Sequence, residues 1–306
     1  MAIAGIDIGG TKISALLLDP DARVLARGVV PAPAGDGGGA MADAAAGLAS
    51  SLAAEAGVRL LAVGAGAAGV IDHVQGTVQA SSATFTGWTG FPLATELERR
   101  LGVPVRVDND VNAFLLGEVA FGAGGSDVLG IMLGTGVGGA LLLDGRLRHG
   151  PHGSAGEIGH IPGYGDRPCT CGQVGHLETL ASGTAIAVRY GEATGATGLD
   201  AAQVATRART GDKAAADIFR SAGEAVALAG IATAGLLDLT SIVVGGGVAQ
   251  AWDLLEPAMT ATLAEHPPVS GAELRLQRSR LGGDAVALGA AAIVRELTEP
   301  SRTGVR

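Results

Sequence analysis

GIDIGGTKISALLLD, Gly5 to Asp19, reads as an apolar strand, a glycine turn with little side-chain bulk and a second apolar strand, the pattern of a β-hairpin. A carboxylate, Asp7, stands inside the first strand, and Gly9, Gly10, Thr11 and Lys12 make the turn. A second occurrence decides the fold. GIMLGTGVGGALLLD, Gly130 to Asp144, laid over the first at an offset of 125 residues, matches Gly5/Gly130, Ile6/Ile131, Gly9/Gly134, Ala15/Ala140, Leu16/Leu141, Leu17/Leu142, Leu18/Leu143 and Asp19/Asp144. Because the glycines and the aspartate keep step with the apolar residues, the match predicts two similar lobes rather than two unrelated Leu-rich hairpins.

The same pattern separates two uses of a glycine loop. A dinucleotide fingerprint requires a helix directly after the glycines, whereas a strand follows here in both copies. The side-chain-poor tips, Gly9, Gly10, Thr11 and Lys12 in one copy and Gly134, Thr135, Gly136 and Gly138 in the other, are expected to aim backbone N–H groups at an anion held between two lobes, a concave donor site for phosphates. Asp7 has Met132 at the equivalent place, so the hairpin itself does not need the carboxylate. A carboxylate in an apolar strand is costly unless paired, which places Asp7 beside a phosphate-bound Mg²⁺; a solvated strand-end aspartate is the competing account. A third cluster, Gly245, Gly246 and Gly247 in SIVVGGGVAQAWDLL, lies between a strand and a helix. It offers close backbone approach to an adenine or ribose, and a plain strand-to-helix turn has the same spelling.

Between and after the hairpins the chain alternates. AMADAAAGLASSLAAEAG (Ala40 to Gly57) reads as a helix, LLAVGAGAAGVI as a strand and glycine turn, ATELERRLG as a helix and VPVRV as a strand. Helices follow from about Ser182 to Asp238, then the strand SIVV and a last helix from about Asp284, with a frayed tail EPSRTGVR. Strands alternating with helices mean an α/β protein. At 306 residues the chain suits two lobes, and with 47% hydrophobic and 17% charged residues it is not a disordered one. A net charge of −9 excludes a chain-wide basic footprint, so neither nucleic acid nor an anionic membrane is an expected partner. The longest strongly apolar stretch, Ala225 to Leu237, is short of the ~20 residues a membrane span takes. With no leader pattern at the N-terminus, a cytoplasmic protein is expected.

VPVRVDNDVNAFLLGE places Asp108, Asn109, Asp110 and Asn112 where a strand ends and a helix begins. One of the four suffices as N-cap; the surplus lies where α/β proteins gather ligands, outside the carboxyl ends of strands. Phosphoryl transfer to an alcohol needs a carboxylate to take the hydroxyl proton, and Asp110 is the candidate base. Further on, Cys169 and Cys171, with His160 before and His176 after, supply two thiolates and two imidazoles, a set that suits tetrahedral Zn²⁺. A Gly/Pro-rich loop with little apolar content of its own needs something to hold it; two free thiols and solvated histidines are the alternative. Glu157 and Glu178 flank this loop and would accept hydrogen bonds from the hydroxyls of a polyol, although surface exposure also accounts for Glu178.

The motifs DIGGTK (Asp7 to Lys12), DNDVNA (Asp108 to Ala113), GTGVGG (Gly134 to Gly139), EIGH (Glu157 to His160) and CTCGQVGHLE (Cys169 to Glu178) together resemble the sugar kinases of the repressor, open-reading-frame and kinase (ROK) family, within the actin-like ATPase superfamily. The resemblance covers nearly the whole chain. It implies two ribonuclease-H-like lobes with a central cleft, closing on ATP, Mg²⁺ and a sugar, in a homodimer. The lobes would span residues 1–113, completed by a C-terminal helix at about 288–306, and 114–287, with the zinc loop at about 149–178. The resemblance makes Asp110 the base for a hexose 6-hydroxyl and Asn109, Glu157, His160 and Glu178 sugar ligands, with His160 joining Zn²⁺ to substrate. Glucose is the expected substrate, with an N-acetylhexosamine such as N-acetylmannosamine second. Two departures stand out: His176 replaces the usual third cysteine, and SSATFTGW lacks the asparagine many members carry before Gly-Trp. The family's repressors carry a helix-turn-helix ahead of the first hairpin, and a hairpin that starts near residue 3 leaves no room for one. A non-catalytic sugar sensor is the remaining rival, opposed by the presence of both Asp7 and Asp110.

Overall fold

The computed structural model describes residues 1–298, so the tail expected to fray lies outside the described residues. The chain forms two units. The first comprises Met1–Gly124, His149–Ser154 and the chain from Gly283 onward; the second comprises Gly125–Arg148 and Ala155–Gly282.

In the first unit, strands β1 (Ala2–Ile8), β2 (Lys12–Leu18) and β3 (Val24–Pro31) form an antiparallel meander. Helix α1 (Gly38–Glu55) leads to β4 (Leu60–Ala67), which adds parallel to β1. The small hairpin β5 (Val70–Asp72) and β6 (Thr77–Ala80) and helix α2 (Leu93–Leu101) precede β7 (Val105–Asn109), parallel to β4. Helix α3 (Asp110–Phe121) follows without a break. The sheet order is β3-β2-β1-β4-β7. Alternate residues Ile6, Ile8, Ile13, Ala15 and Leu17 pack with Met41, Leu52, Val63 and Leu97 in the core, as the period-2 geometry of a strand requires.

The second unit repeats this plan with β8 (Val128–Leu133), β9 (Val137–Leu143), β10 (Arg146–Leu147), helices α4 (Glu178–Ala181), α5 (Gly183–Thr194), α6 (Ala201–Arg209) and α7 (Lys213–Leu237), β11 (Ser241–Gly245), α8 (Trp252–Glu265) and β12 (Arg275–Arg278). Its order, β10-β9-β8-β11-β12, carries the same two antiparallel and two parallel pairings. The apolar stretch from Ala225 lies within α7, and no helix among the described residues is long and apolar enough to cross a membrane.

The duplication is one of topology, and its sequence register holds only as far as the turn. Ile8 pairs with Ile13, whereas Leu133 pairs with Val137, so the second turn is one residue shorter. The position equivalent to Leu17 is therefore held by Leu141, which packs on the second core, and not by Leu142. A one-residue slip turns each side chain to the opposite face, and the identities from Ala15/Ala140 onward do not mark equivalent positions.

The expected lobe boundaries also shift. A boundary after Ala113 would cut α3, and the first unit instead runs to Gly124. The C-terminal helix Ala285–Thr298 starts before residue 288 and explains why. A Cβ on Gly117 would overlap the Ala285 carbonyl, and one on Gly289 would overlap the Ala113 carbonyl. On the sheet, the directly paired Gly5 and Gly64 give the same helix room at the Ala287 and Ala290 carbonyls. Residues 149–154, expected in the metal loop of the second lobe, pack in the first unit, where His149 bonds to Asp108.

Candidate active site

Across the first sheet, Asp7 of β1 pairs in register with Gly66 of β4, and Gly66 pairs with Asp108 of β7. A Cβ at Gly66 would press on Ala113, on Val286 and on the Asp110 Cα. Its glycine thus lets the start of α3 settle against the sheet beside the Asp7 row. Asp7 accepts one side-chain hydrogen bond, from Ser14 Oγ at 3.3 Å. Burial pushes its carboxyl up to about 6, against smaller opposite effects of Lys12 and Ser14. Such a group is short of compensating charge, and a cation beside it would supply what is missing. In the adjoining turn, Gly9 N–H donates to the Lys12 carbonyl, and Gly10 lies against Phe85, leaving little space for a side chain.

Asn109 is the residue that caps α3. Its Oδ1 accepts from the Val111 and Asn112 amides at 2.8 and 3.2 Å, and its Nδ2 donates to the Gly69 carbonyl at 2.9 Å. Capping of this kind stabilises a helix by roughly 1 kcal/mol. Asp108 is buried and uses both oxygens: Oδ1 accepts from Asn109 N at 2.7 Å and Asn112 Nδ2 at 2.8 Å, and Oδ2 lies 2.8 Å from His149 Nε2. The His149 ring stacks on His73, with centroids 3.6 Å apart and planes 8° from parallel. Burial and the neighbouring His149 hold His73 below the ordinary imidazole value, only partly offset by Asp108 and Asp72. Asp110 is the first residue of α3, and its Oδ1 accepts from Val111 N at 3.0 Å.

In the second unit the Gly134 and Thr135 carbonyls are both taken by the start of α5, through Gly183 N (2.8 Å) and Thr184 Oγ1 (2.9 Å). Gly134 N–H donates to the Gly136 carbonyl and Val137 N–H to Glu178 Oε2 at 3.0 Å. Glu178 Oε1 accepts from Thr170 Oγ1 at 2.7 Å, so this carboxylate ties the turn to the cysteine loop and is not a freely solvated side chain. Gly246, with φ 89°, lies against the Leu133 carbonyl, where a Cβ would overlap. Packing alone therefore requires a glycine there.

His160, Cys169, Cys171 and His176 place one ligand atom each within 4.8 Å of one another. His160 Nδ1 is 3.7 Å from Cys169 Sγ, and His176 Nδ1 is 3.3 Å from Cys171 Sγ. Ligands on a tetrahedral zinc at its usual bond lengths stand roughly 3.3–3.8 Å apart, so the donor set and these two distances suit such an ion. Burial raises the Cys169 thiol, against a lowering backbone hydrogen bond from Cys171 and with further rises from the Cys171 side chain and Glu178. The loop also has more backbone stitching than its composition suggests: Tyr164 N–H to Gly175, Gly175 N–H to Arg167 and Cys169 N–H to Gln173. Glu157, at the start of the turn that carries His160, has its carboxyl raised by burial, lowered by His160 and raised again by Glu178.

Sequence reasoning did not find His149, His73, Ser14 or Thr170. His149 and Thr170 lie inside the insertion already singled out, but only the fold shows that the first turns away to the other unit and that the second holds Glu178.

Twin sheets of this order, each opening on a glycine-tipped hairpin, define a two-unit α/β protein of the actin-like ATPase class. The chain belongs to the ROK family, whose family model matches residues 3–297. It is 37% identical to a glucokinase from Halalkalibacterium halodurans, over 95% of this chain and 94% of that one. It is 34% identical to an N-acetylmannosamine kinase from Escherichia coli, over 95% and 97%. Among solved structures, a ROK family glucokinase from Streptomyces griseus in complex with glucose and AMPPNP superposes with a TM-score of 0.83 at 33% identity, covering 97% of this chain and 100% of that one.

Proposed function

We propose that this protein is an ATP-dependent glucokinase that phosphorylates the 6-hydroxyl of glucose. The observation that carries the reading is the placement of Asp110 on the first turn of α3, against the glycine that separates Asp7 from Asp108. Asp110 takes the 6-hydroxyl proton, the oxygen bonds to the γ-phosphorus of ATP, and the bond from that phosphorus to the bridging oxygen breaks to release ADP. The tips formed by Gly9, Gly10, Thr11 and Lys12 and by Gly134, Thr135, Gly136 and Gly138 cradle the phosphates; the N–H groups of Gly9 and Gly134 close the two turns, those of Gly10, Thr11, Thr135 and Gly136 bind phosphate oxygens, and Gly245, Gly246 and Gly247 border the nucleoside. Asp7 would hold Mg²⁺, which supplies charge neutralisation on the phosphates. Glu157 and Glu178 accept hydrogen bonds from sugar hydroxyls, and His160 donates one to a hydroxyl oxygen. Asn109 contributes as the cap that fixes the turn next to Asp110. Zn²⁺ held by His160, Cys169, Cys171 and His176 would lock the loop that carries two of these groups; with Nδ1 of His160 facing the sulfur, Nε2 is left for a hydroxyl. The reading carries with it a cytoplasmic location and a homodimer, and light scattering on the purified protein tests the dimer.

The N-acetylmannosamine kinase relative, similar over nearly the same length, makes an N-acetylhexosamine the second reading. ADP release from Mg-ATP across glucose, mannose, fructose, allose, N-acetylglucosamine and N-acetylmannosamine separates the two. Turnover fastest with glucose is expected, and an N-acetylhexosamine in first place would transfer the assignment. No turnover with any of them from a folded, zinc-loaded sample would favour a sugar sensor.

A further inference from the structure

We propose that His149 is a positioning residue for phosphoryl transfer, acting through Asp108 on the turn of α3 that carries Asp110. This deepens the kinase reading above and rests on it. Asp108 bridges the two sides of that turn. One oxygen holds the main-chain N–H of Asn109, immediately before Asp110, and the side chain of Asn112, two residues after it. The other oxygen is met by His149 Nε2 at 2.8 Å, with only 6% of the Asp108 side chain exposed.

A carboxylate buried to that extent stays in place only if its oxygens are matched by donors. Without the imidazole, Oδ2 keeps no side-chain hydrogen bond among the described residues. The group must then turn toward water, and that change loosens its hold on Asn109 or Asn112. The imidazole is itself fixed from two directions: Asp108 takes its Nε2, and His73 covers its ring face at 3.6 Å. His149 reaches this place because residues 149–154 leave the chain path of the second unit to pack in the first. Nothing in the hairpin architecture requires that excursion. A base must stand within hydrogen-bond reach of the proton it removes, and a displacement of about 1 Å costs up to roughly a hundredfold in rate.

The test is His149→Ala beside His149→Gln, whose amide N–H can still reach Asp108, each read by steady-state kinetics and by hydrogen exchange of the amides of residues 109–114. The alanine variant should lose about ten- to a hundredfold in kcat, with glucose and ATP KM values changing less than about threefold, and should exchange faster in this segment. The glutamine variant should recover most of both. Unchanged kcat, or a KM effect without a kcat effect, would overturn the proposal, as would unchanged exchange. If His149→Ala does not fold, the glutamine variant decides: wild-type exchange with near-normal kcat supports the hydrogen-bond role, and a large loss overturns it. Turnover of the wild-type enzyme is the separate control on the kinase reading. Should that fail, the exchange comparison still decides whether His149 holds the turn.

Discussion

Glu178 accepts the main-chain N–H of Val137 at 3.0 Å, so the carboxylate that opens α4 also fixes the glycine turn between β8 and β9. Its other oxygen is taken by Thr170 of the cysteine loop. Glu178→Ala should therefore disturb both ends. It leaves the N–H of the buried Val137 unmatched, at a cost of about 1–3 kcal/mol, and frees the turn proposed to hold phosphate. The expected result is a lower Tm together with raised KM for both glucose and ATP. A rise for glucose alone would restrict this residue to sugar binding.

For the base, Asp110→Asn keeps shape and removes the proton acceptor. Turnover should fall by about 10²–10⁴-fold, while glucose binding measured by calorimetry without nucleotide stays near the wild-type value. Normal turnover in this variant would exclude Asp110 from proton removal.

How much of this was legible in the sequence depends on how local each signal is. The hairpins, the α/β alternation and the four candidate metal-ligand residues are written in short runs, and a hairpin or a C-x-C needs no distant partner to be read. The register after the second turn was not legible, because deleting one turn residue preserves every apolar letter while turning each side chain to the other face. Nor was Asn109's capping role separable from the ligand role of its neighbours, since the same four polar residues spell both. His149 is the clearest case. Its partner Asp108 lies 41 positions away in another element, and only the return of residues 149–154 to the first unit brings the two together.

Metal-free protein should show a pH dependence centred on Asp7. Burial raises its carboxyl from 3.8 to about 6 in the folded chain. A carboxyl whose folded value is raised contributes fully below its unfolded value, and that contribution is lost as pH rises through the folded one. Urea stability of protein stripped of divalent ions should therefore decline between about pH 4 and pH 6.5 by at most about 3 kcal/mol from this group, less whatever solvent screening removes. Asp7→Asn should flatten that decline. Mg-ATP at pH 7 should restore stability in the wild type and not in the variant; equal restoration in both would separate Asp7 from the metal.

Loss of one metal ligand is tested by Cys169→Ser. Removing an outer partner of a bound metal costs roughly 10–100-fold in affinity, and removing a ligand itself should cost more. Zinc content by elemental analysis should fall, Tm should drop, and glucose KM should rise, because His160 is proposed to be at once ligand and sugar contact. Unchanged zinc and unchanged glucose KM would detach the cluster from function.

The last prediction concerns why the chain carries 51 glycines, of which the proposed phosphate and nucleoside positions use only a few. In the middle of the C-terminal helix, Gly289→Ala would ordinarily stabilise, since alanine is favoured over glycine by about 1 kcal/mol in a helix. Here the new methyl would overlap the Ala113 carbonyl of α3. Helix on helix, there is no flexible side chain to give way, so backbone must move, and overpacking of that kind costs about 1–3 kcal/mol. The clash outweighs the propensity gain. Gly289→Ala should lower Tm and, because Ala113 lies in the same helix as Asp110, lower kcat as well. Gly47→Ala, in α1 with open space around it, is the matched control and should leave stability equal or slightly higher. If both substitutions behave alike, close approach of the C-terminal helix to α3 is not what sets the need for glycine at residue 289.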